Sequence, residues 1–245
     1  EIYSYAYVKQ LMLKGKARVG DSIVVGWDPR DPKGNFTSAV VSGACKAGAN
    51  VIILGVVPTP LVPMYMLYKN AVAGFMVTAS HNPKDQNGIK TFCSFRGFKL
   101  LPENDITLTH AILEVNPSTV RKLSLKGKTI DSRKDALKLF NQFSMAPVNT
   151  WVPLEQSTHL FKDITLVVDA ANGSLSKIAA ETFRQVGFRK VIEVNARLNG
   201  NVNVESGVAD LEGKTLITKK MAQKDTGLFS NHLAIKKLLE LGYKN

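Results

Sequence analysis

The sequence predicts an α/β protein: a mixed, largely parallel sheet flanked by helices, followed by a partial second α/β domain of similar type. Three observations carry this reading. Short apolar runs rich in β-branched residues recur along the chain, amphipathic stretches separate them, and the alternation restarts after a polar, basic interval.

The elements follow in order. Ser22-Ile23-Val24-Val25-Gly26-Trp27 reads as a buried strand. Residues 35–48 read as a helix that opens near Thr37-Ser38 and closes at Gly48. Val51-Ile52-Ile53-Leu54 is the next strand, residues 61–68 form a helix started behind Pro58-Thr59-Pro60, and residues 71–78 are a third strand. This βαβαβ order implies parallel strands with helices on both faces. A helix over 102–114 continues the pattern.

From Asn116 to Thr129 the chain turns polar and basic, residues 132–143 suit a helix, and Pro147 and Pro153 bracket a connecting segment. The restart then brings a strand over 164–169, a helix over 174–186 ended by Gly187, a strand over 190–194 and a helical stretch at 230–241. A domain boundary is therefore expected near residue 150, giving 1–150 and 151–245. Two strands and little else offer the second part a thin core, so it is expected to be incomplete.

Composition excludes several classes. The 245 residues are 44% hydrophobic and 21% charged, which is ordinary globular composition. No apolar run approaches the ~20 residues that cross a bilayer, so no membrane association is expected. The N-terminus lacks both an export pattern and an initiator Met, which hints at a fragment of a longer chain. Cys45 and Cys93 are isolated, with no Cys or His at metal-ligand spacing, and point by default to a reducing, cytoplasmic compartment. Both suit small core positions. The 32 Lys and Arg against 20 Asp and Glu give a formal charge of +12, a field that attracts polyanions and small phosphorylated ligands alike. No helix-turn-helix, zinc or RNP-type signature accompanies it, and the aromatics do not interleave with the basic residues, so nucleic acid is not an expected partner.

Chemistry concentrates at Thr78-Ala79-Ser80-His81-Asn82-Pro83-Lys84-Asp85-Gln86-Asn87-Gly88-Ile89-Lys90. The third strand ends there, Asn82-Pro83 and Asn87-Gly88 both favour turning, and Ile89 to Cys93 resumes an extended pattern. Ser80 is thus delivered to the C-terminal end of a strand in an open α/β sheet, where such folds bind ligands. A hydroxyl in that position can act as a nucleophile or phosphate carrier, with His81 and Lys90 orienting or neutralising anions. By residue type alone, a polar hairpin loop with an incidental Ser and His is the simpler alternative.

The string resembles the phosphoserine loop of the α-D-phosphohexomutase superfamily, the phosphoglucomutase and phosphomannomutase enzymes. Gly26-Trp27-Asp28-Pro29-Arg30, Gly55-Val56-Val57-Pro58-Thr59-Pro60 and Val168-Asp169-Ala170-Ala171-Asn172-Gly173 resemble three further family segments in the same order, so the likeness covers about residues 20–200. It implies that Ser80 carries a phosphoryl group, passes it to a hexose monophosphate and recovers one from the hexose bisphosphate so formed, which moves phosphate between the 1 and 6 positions. It further implies catalytic roles for Ser80, His81 and Lys90, and substrate-phosphate contacts from Arg30, Asn82 and Lys90, although a salt-bridged structural role suits Arg30 as well.

Family members hold Mg²⁺ through the serine phosphate and an Asp-Gly-Asp-Gly-Asp loop. This sequence has no Asp-Gly dipeptide, so of that metal site only Ser80, through its phosphate, is expected here. The chain alone is expected to show little turnover. A catalytically silent relative, with the loop serving regulation or interaction, is the alternative. Residues 199–207, rich in turn formers, read either as a solvated loop or as the segment leading toward the metal loop.

Overall fold

A computed structural model describes residues 1–150, 153–208, 211–224 and 231–242. The chain divides into two compact units, one of residues 1–78 and 88–139, the other of residues 79–87 and 140–245.

The first unit is built on a five-stranded sheet in the order β4-β3-β1-β2-β5. Its strands are β1 (Ser22–Trp27), β2 (Asn50–Val56), β3 (Ala73–Val77), β4 (Ile89–Cys93) and β5 (Thr129–Asp131). Central β1 runs parallel to both β2 and β3, because helices α2 (Asn35–Ala47) and α3 (Leu61–Tyr68) supply the crossovers that parallel neighbours require. A loop rather than a helix joins β3 to β4, so β4 returns antiparallel, with Met76 opposite Lys90. The sheet is therefore mixed, as expected.

Side-chain alternation sorts the core into two layers. Ile23, Val25, Ala73, Phe75 and Val77 belong to one buried cluster with residues of α1 (Ile2–Leu13) and α2. Helix α1 was not expected, since its apolar residues run around the whole helix and leave no stripe. Its Tyr7 and Tyr3 rings stand edge-on to Phe75 at centroid distances of 5.6 and 6.2 Å. At Gly43 of α2 a Cβ would lie 2.0 Å from the Glu1 carbonyl oxygen, so glycine is what lets the two helices meet.

On the opposite face, Gly26 and Gly74 leave room for Val62 and Met66 of α3. A Cβ on Gly26 would stand 2.6 Å from Val57 Cγ2, and one on Gly74 2.9 Å from Val62 Cγ1. Helix α6 (Arg133–Met145) is tied to α3 through Asp135, which accepts a 2.6 Å hydrogen bond from the Tyr65 hydroxyl and pairs with Lys69 at 3.2 Å. Helix α4 (Pro102–Leu113) opens on its proline and ends one residue before its expected limit. Two elements had no apolar signal: α5 (Pro117–Lys122), and β5, whose three residues are all exposed. Cys45 is buried in the core, whereas Cys93, expected there too, is only half-buried on edge strand β4.

In the second unit, β6 (Thr165–Asp169) pairs in parallel with β7 (Lys190–Val194), with α8 (Ile178–Val186) as the crossover. Helix α8 closes at Gly187, φ 118°, but starts at Ile178 rather than 174, because Lys177 takes φ 67° and residues 174–177 form turns. Among the described residues the unit also holds helices α7 (Leu154–Phe161), α9 (Lys219–Lys224) and α10 (Leu233–Glu240). Of the stretch expected to be helical at 230–241, residue 230 lies outside the described residues, and the helix over Leu233–Glu240 falls within the rest. The Phe161 and Phe188 rings stack at 4.4 Å, which anchors α7 beside the strand pair.

Two measurements check these contacts. Gly26→Val overpacks the α3 layer and is expected to lower unfolding free energy by about 1–3 kcal/mol in urea titration. The Tyr65 hydroxyl, followed by Lys69, holds the Asp135 carboxyl below its usual range. A depressed folded pKa contributes stability above the unfolded carboxylate value and loses it as pH falls through the folded one. Asp135→Asn should therefore lower the melting temperature at neutral pH, change it little at strongly acid pH, and so flatten its fall between the two.

Candidate active site

The chain leaves β1 at Trp27, and the next residues are polar yet buried. Asp28 is 4% exposed, and its backbone N–H donates to the Val77 carbonyl at 3.1 Å. Its carboxylate accepts from Arg30 N–H at 2.9 Å, from the Thr78 hydroxyl and from the Arg30 guanidinium. One buried carboxylate thus ties the C-terminal ends of β1 and β3 together and satisfies the donors there. The Arg30 side chain is 1% exposed and ion-paired with Asp28. Asp31 caps α2 from outside, accepting from Asn35 N–H, Thr37 N–H and the Thr37 hydroxyl at 2.8 to 3.0 Å. The sequence had suggested Thr37-Ser38 as the opening, and Asp31 is the residue it missed. Lys90, also of this unit, sits half-buried on β4, and strand alternation places it on the same face as Phe92.

Ser80, His81 and Asn82 lie in the loop 79–87, which groups with the second unit, and all three are exposed. Ser80 has φ 57°, a left-handed conformation that costs an L-residue roughly 1–2 kcal/mol. The loop is tight. Asn82 N–H donates to the Ala79 carbonyl and Gln86 N–H to the Pro83 carbonyl, both at 3.1 Å, and the Asn82 side chain donates to Gln86 Oε1 at 2.7 Å.

The same unit holds a second group of left-handed residues, Ala171, Asn172, Asn203, Glu205 and Gly207. Asp169, the last residue of β6, organises them. Its Oδ1 accepts from Ala171 N–H at 2.9 Å and Asn195 Nδ2 at 3.1 Å, and its Oδ2 accepts from Gly207 N–H at 2.9 Å. Asn172 Nδ2 donates to the Asn201 carbonyl at 3.2 Å, while its Oδ1 accepts from Arg197 N–H at 3.0 Å. Buried His232 places Nε2 3.1 Å from the Gly207 carbonyl.

Residues 199–207 are therefore folded onto the end of β6, with Val202 and Ser206 buried and Asn199, Asn201, Val204 and Glu205 still exposed. They also reach loop 79–87: Asn203 Nδ2 lies 3.1 Å from the Ser80 carbonyl and 3.0 Å from the Asn82 carbonyl, and Lys84 Nζ donates to Asn201 Oδ1 at 3.2 Å. Asn201 and Asn203 were missed as site residues because alternating asparagines read only as turn formers.

A magnesium ion needs several oxygen ligands, usually including carboxylates. Among the described residues no three His, Cys, Asp or Glu side chains come together to hold a metal. Both Asp169 oxygens already accept N–H groups. The described residues do not fit a magnesium site.

Known proteins resemble this chain in sequence and fold. The family described as phosphoglucomutase/phosphomannomutase, alpha/beta/alpha domain I, matches residues 4–117. A phosphoglucosamine mutase from Salinispora tropica is 37% identical over 185 residues, covering 75% of this chain and 39% of the relative. Another from Corynebacterium jeikeium is 34% identical over 221 residues, covering 89% of this chain and 46% of the relative. The chain thus spans less than half the length of these curated relatives. A phosphoglucomutase/phosphomannomutase family protein from Burkholderia thailandensis shares the fold with TM-score 0.58 at 24% identity, over 83% of this chain and 41% of its own. Parafusin from Paramecium does so with TM-score 0.58 at 17% identity, over 80% and 40%.

The Asp28 cluster can be tested directly. Asp28→Ala removes the carboxylate that pairs with a buried guanidinium, and the expected loss is about 3–5 kcal/mol of unfolding free energy. A loss near zero in calorimetry or urea titration would show that Arg30 does not depend on the pair.

Proposed function

The chain belongs to the α-D-phosphohexomutase superfamily, of which it carries the N-terminal portion, and on that premise we propose that it serves the interconversion of hexose 1-phosphate and hexose 6-phosphate through a phosphoserine at Ser80. The observation that carries the reading is Ser80 itself: an exposed hydroxyl in a tight, left-handed loop that begins where β3 ends. The C-terminal ends of strands are where open α/β sheets bind ligands.

In the proposed cycle a sugar hydroxyl oxygen attacks the phosphorus carried by Ser80. The bond from phosphorus to Ser80 Oγ breaks as the bond to the sugar oxygen forms, and the hydroxyl proton leaves the sugar. Ser80 Oγ, which takes up a proton on leaving and gives it up again, then attacks the other phosphate of the bisphosphorylated sugar. The bond from that phosphorus to its sugar oxygen breaks, the sugar oxygen takes a proton, and the hexose monophosphate departs as the serine is rephosphorylated. Transfer of this kind depends on in-line positioning and on cations around the equatorial oxygens. His81 and Lys90 are proposed for proton handling and charge neutralisation, and Arg30, Asn82 and Lys90 for the substrate phosphates. Arg30 would act with its guanidinium oriented by Asp28. The excess of +12 supports the handling of anionic sugars.

Residues 1–150 are proposed as domain I of the mutase and 151–245 as belonging to domain II. The free thiols Cys45 and Cys93 support a reducing, cytoplasmic setting. No helix of the described residues is long and apolar enough to cross a membrane.

Incubating the chain with glucose 1,6-bisphosphate, followed by intact-mass and peptide mass spectrometry, is expected to place one phosphoryl group on Ser80. Ser80→Ala should take up none. A wild-type chain that never acquires phosphate would favour a catalytically silent relative that uses the loop for interaction.

A further inference from the structure

We infer that Asn203 is the positioning residue of the Ser80 loop, its carboxamide clamping the loop backbone in the conformation that presents the serine. The inference rests on Ser80 being the phosphoryl carrier. The clamp itself rests on geometry independent of that.

The loop backbone adopts a form that serine does not choose by itself, with φ 57° at Ser80. Hydrogen bonds internal to the loop close its turns from Ala79 to Asn82 and from Pro83 to Gln86. The Ser80 and Asn82 carbonyls receive the two N–H donors of one side chain, Asn203 Nδ2, at 3.1 and 3.0 Å. An amide nitrogen with two hydrogens can bridge acceptors two residues apart, whereas a hydroxyl has one donor and a carboxylate has none. Because both partners are acceptors, the orientation of the amide follows from the network.

A clamp holds only as well as its own base. Asn203 N–H donates to the Ala171 carbonyl at 2.9 Å, and Asn203 itself takes φ 61°. On either side, Asn172 Nδ2 holds the Asn201 carbonyl and Asp169 Oδ2 holds Gly207 N–H. A continuous set of hydrogen bonds therefore runs from the end of β6 to the Ser80 carbonyl. Lys84 on Asn201 adds a second, exposed tether. This assigns a task to two motifs that otherwise have none in the chemistry: Asp169-Ala170-Ala171-Asn172 builds the turn, and the turn delivers Asn203. Phosphoryl transfer is sensitive to small misplacements of the reacting oxygen, so a residue that fixes the serine backbone acts on rate without touching substrate.

Hydrogen exchange and phosphoryl uptake test the clamp together. Asn203→Asp keeps the side-chain shape but removes both donors, and Asn203→Gly keeps the left-handed turn without strain but removes the side chain. Both variants are expected to speed exchange of the 79–87 amides at least tenfold while β6 and β7 amides exchange as in the parent chain, and to slow phosphoryl uptake at Ser80 from glucose 1,6-bisphosphate at least tenfold. Unchanged loop exchange in Asn203→Gly would overturn the clamp, since the turn and not the amide would then be sufficient. Faster exchange with undiminished uptake would overturn the positioning role. A parent chain that accepts no phosphoryl group would defeat the phosphoserine reading alone, because the exchange comparison would still decide whether Asn203 holds the loop.

Discussion

Asp28 is the constraint around which the first unit is organised. Parallel strands end together at one edge of a sheet, and the chain must turn there with its backbone donors unpaired unless something collects them. A carboxylate with two oxygens can take several donors at once, and Asp28 takes an N–H, a hydroxyl and a guanidinium. That leaves β1 and β3 locked at the edge from which the Ser80 loop departs, with the desolvation cost of the carboxylate offset by its pairing with Arg30. The glycines beneath α3 and the aromatic contacts of α1 set the layers, but they do not decide what happens at that edge.

The second unit solves the same problem in the same way with different partners. Asp169 closes β6 and gathers Ala171, Asn195 and Gly207, and the turns it stabilises are left-handed at several residues that carry a Cβ. Each unit thus has a strand-terminal aspartate followed by a polar turn. Their outputs differ: the first fixes strand ends, and the second fixes a turn whose asparagines face outward from it.

Much of the fold was legible because its period is regular. Strands β1, β2, β3, β6 and β7 are apolar runs bounded by turn formers, and α2 and α8 end at glycines in the left-handed conformation. Helix α1 was hidden by having too many apolar residues, β5 by having almost none, and the true start of α8 by a lysine in a conformation no propensity scale assigns to it. The antiparallel return of β4 was implicit in the short polar loop before it. At the site, Ser80, His81 and Lys90 could be singled out from one contiguous string, whereas the pairing of Asp28 with Arg30 and Thr78, and of Asn203 with Ser80 and Asn82, spans distances in sequence that a local pattern does not encode.

The left-handed backbone at Ser80 also bears on how such a position persists. Were thermodynamic ease the only pressure, glycine or asparagine would suit residue 80 better than serine, since either tolerates positive φ with less steric conflict. The side-chain oxygen at residue 80 stands against the local preference of the main chain. On the proposed phosphoserine role, stability and reactivity are in opposition at this residue.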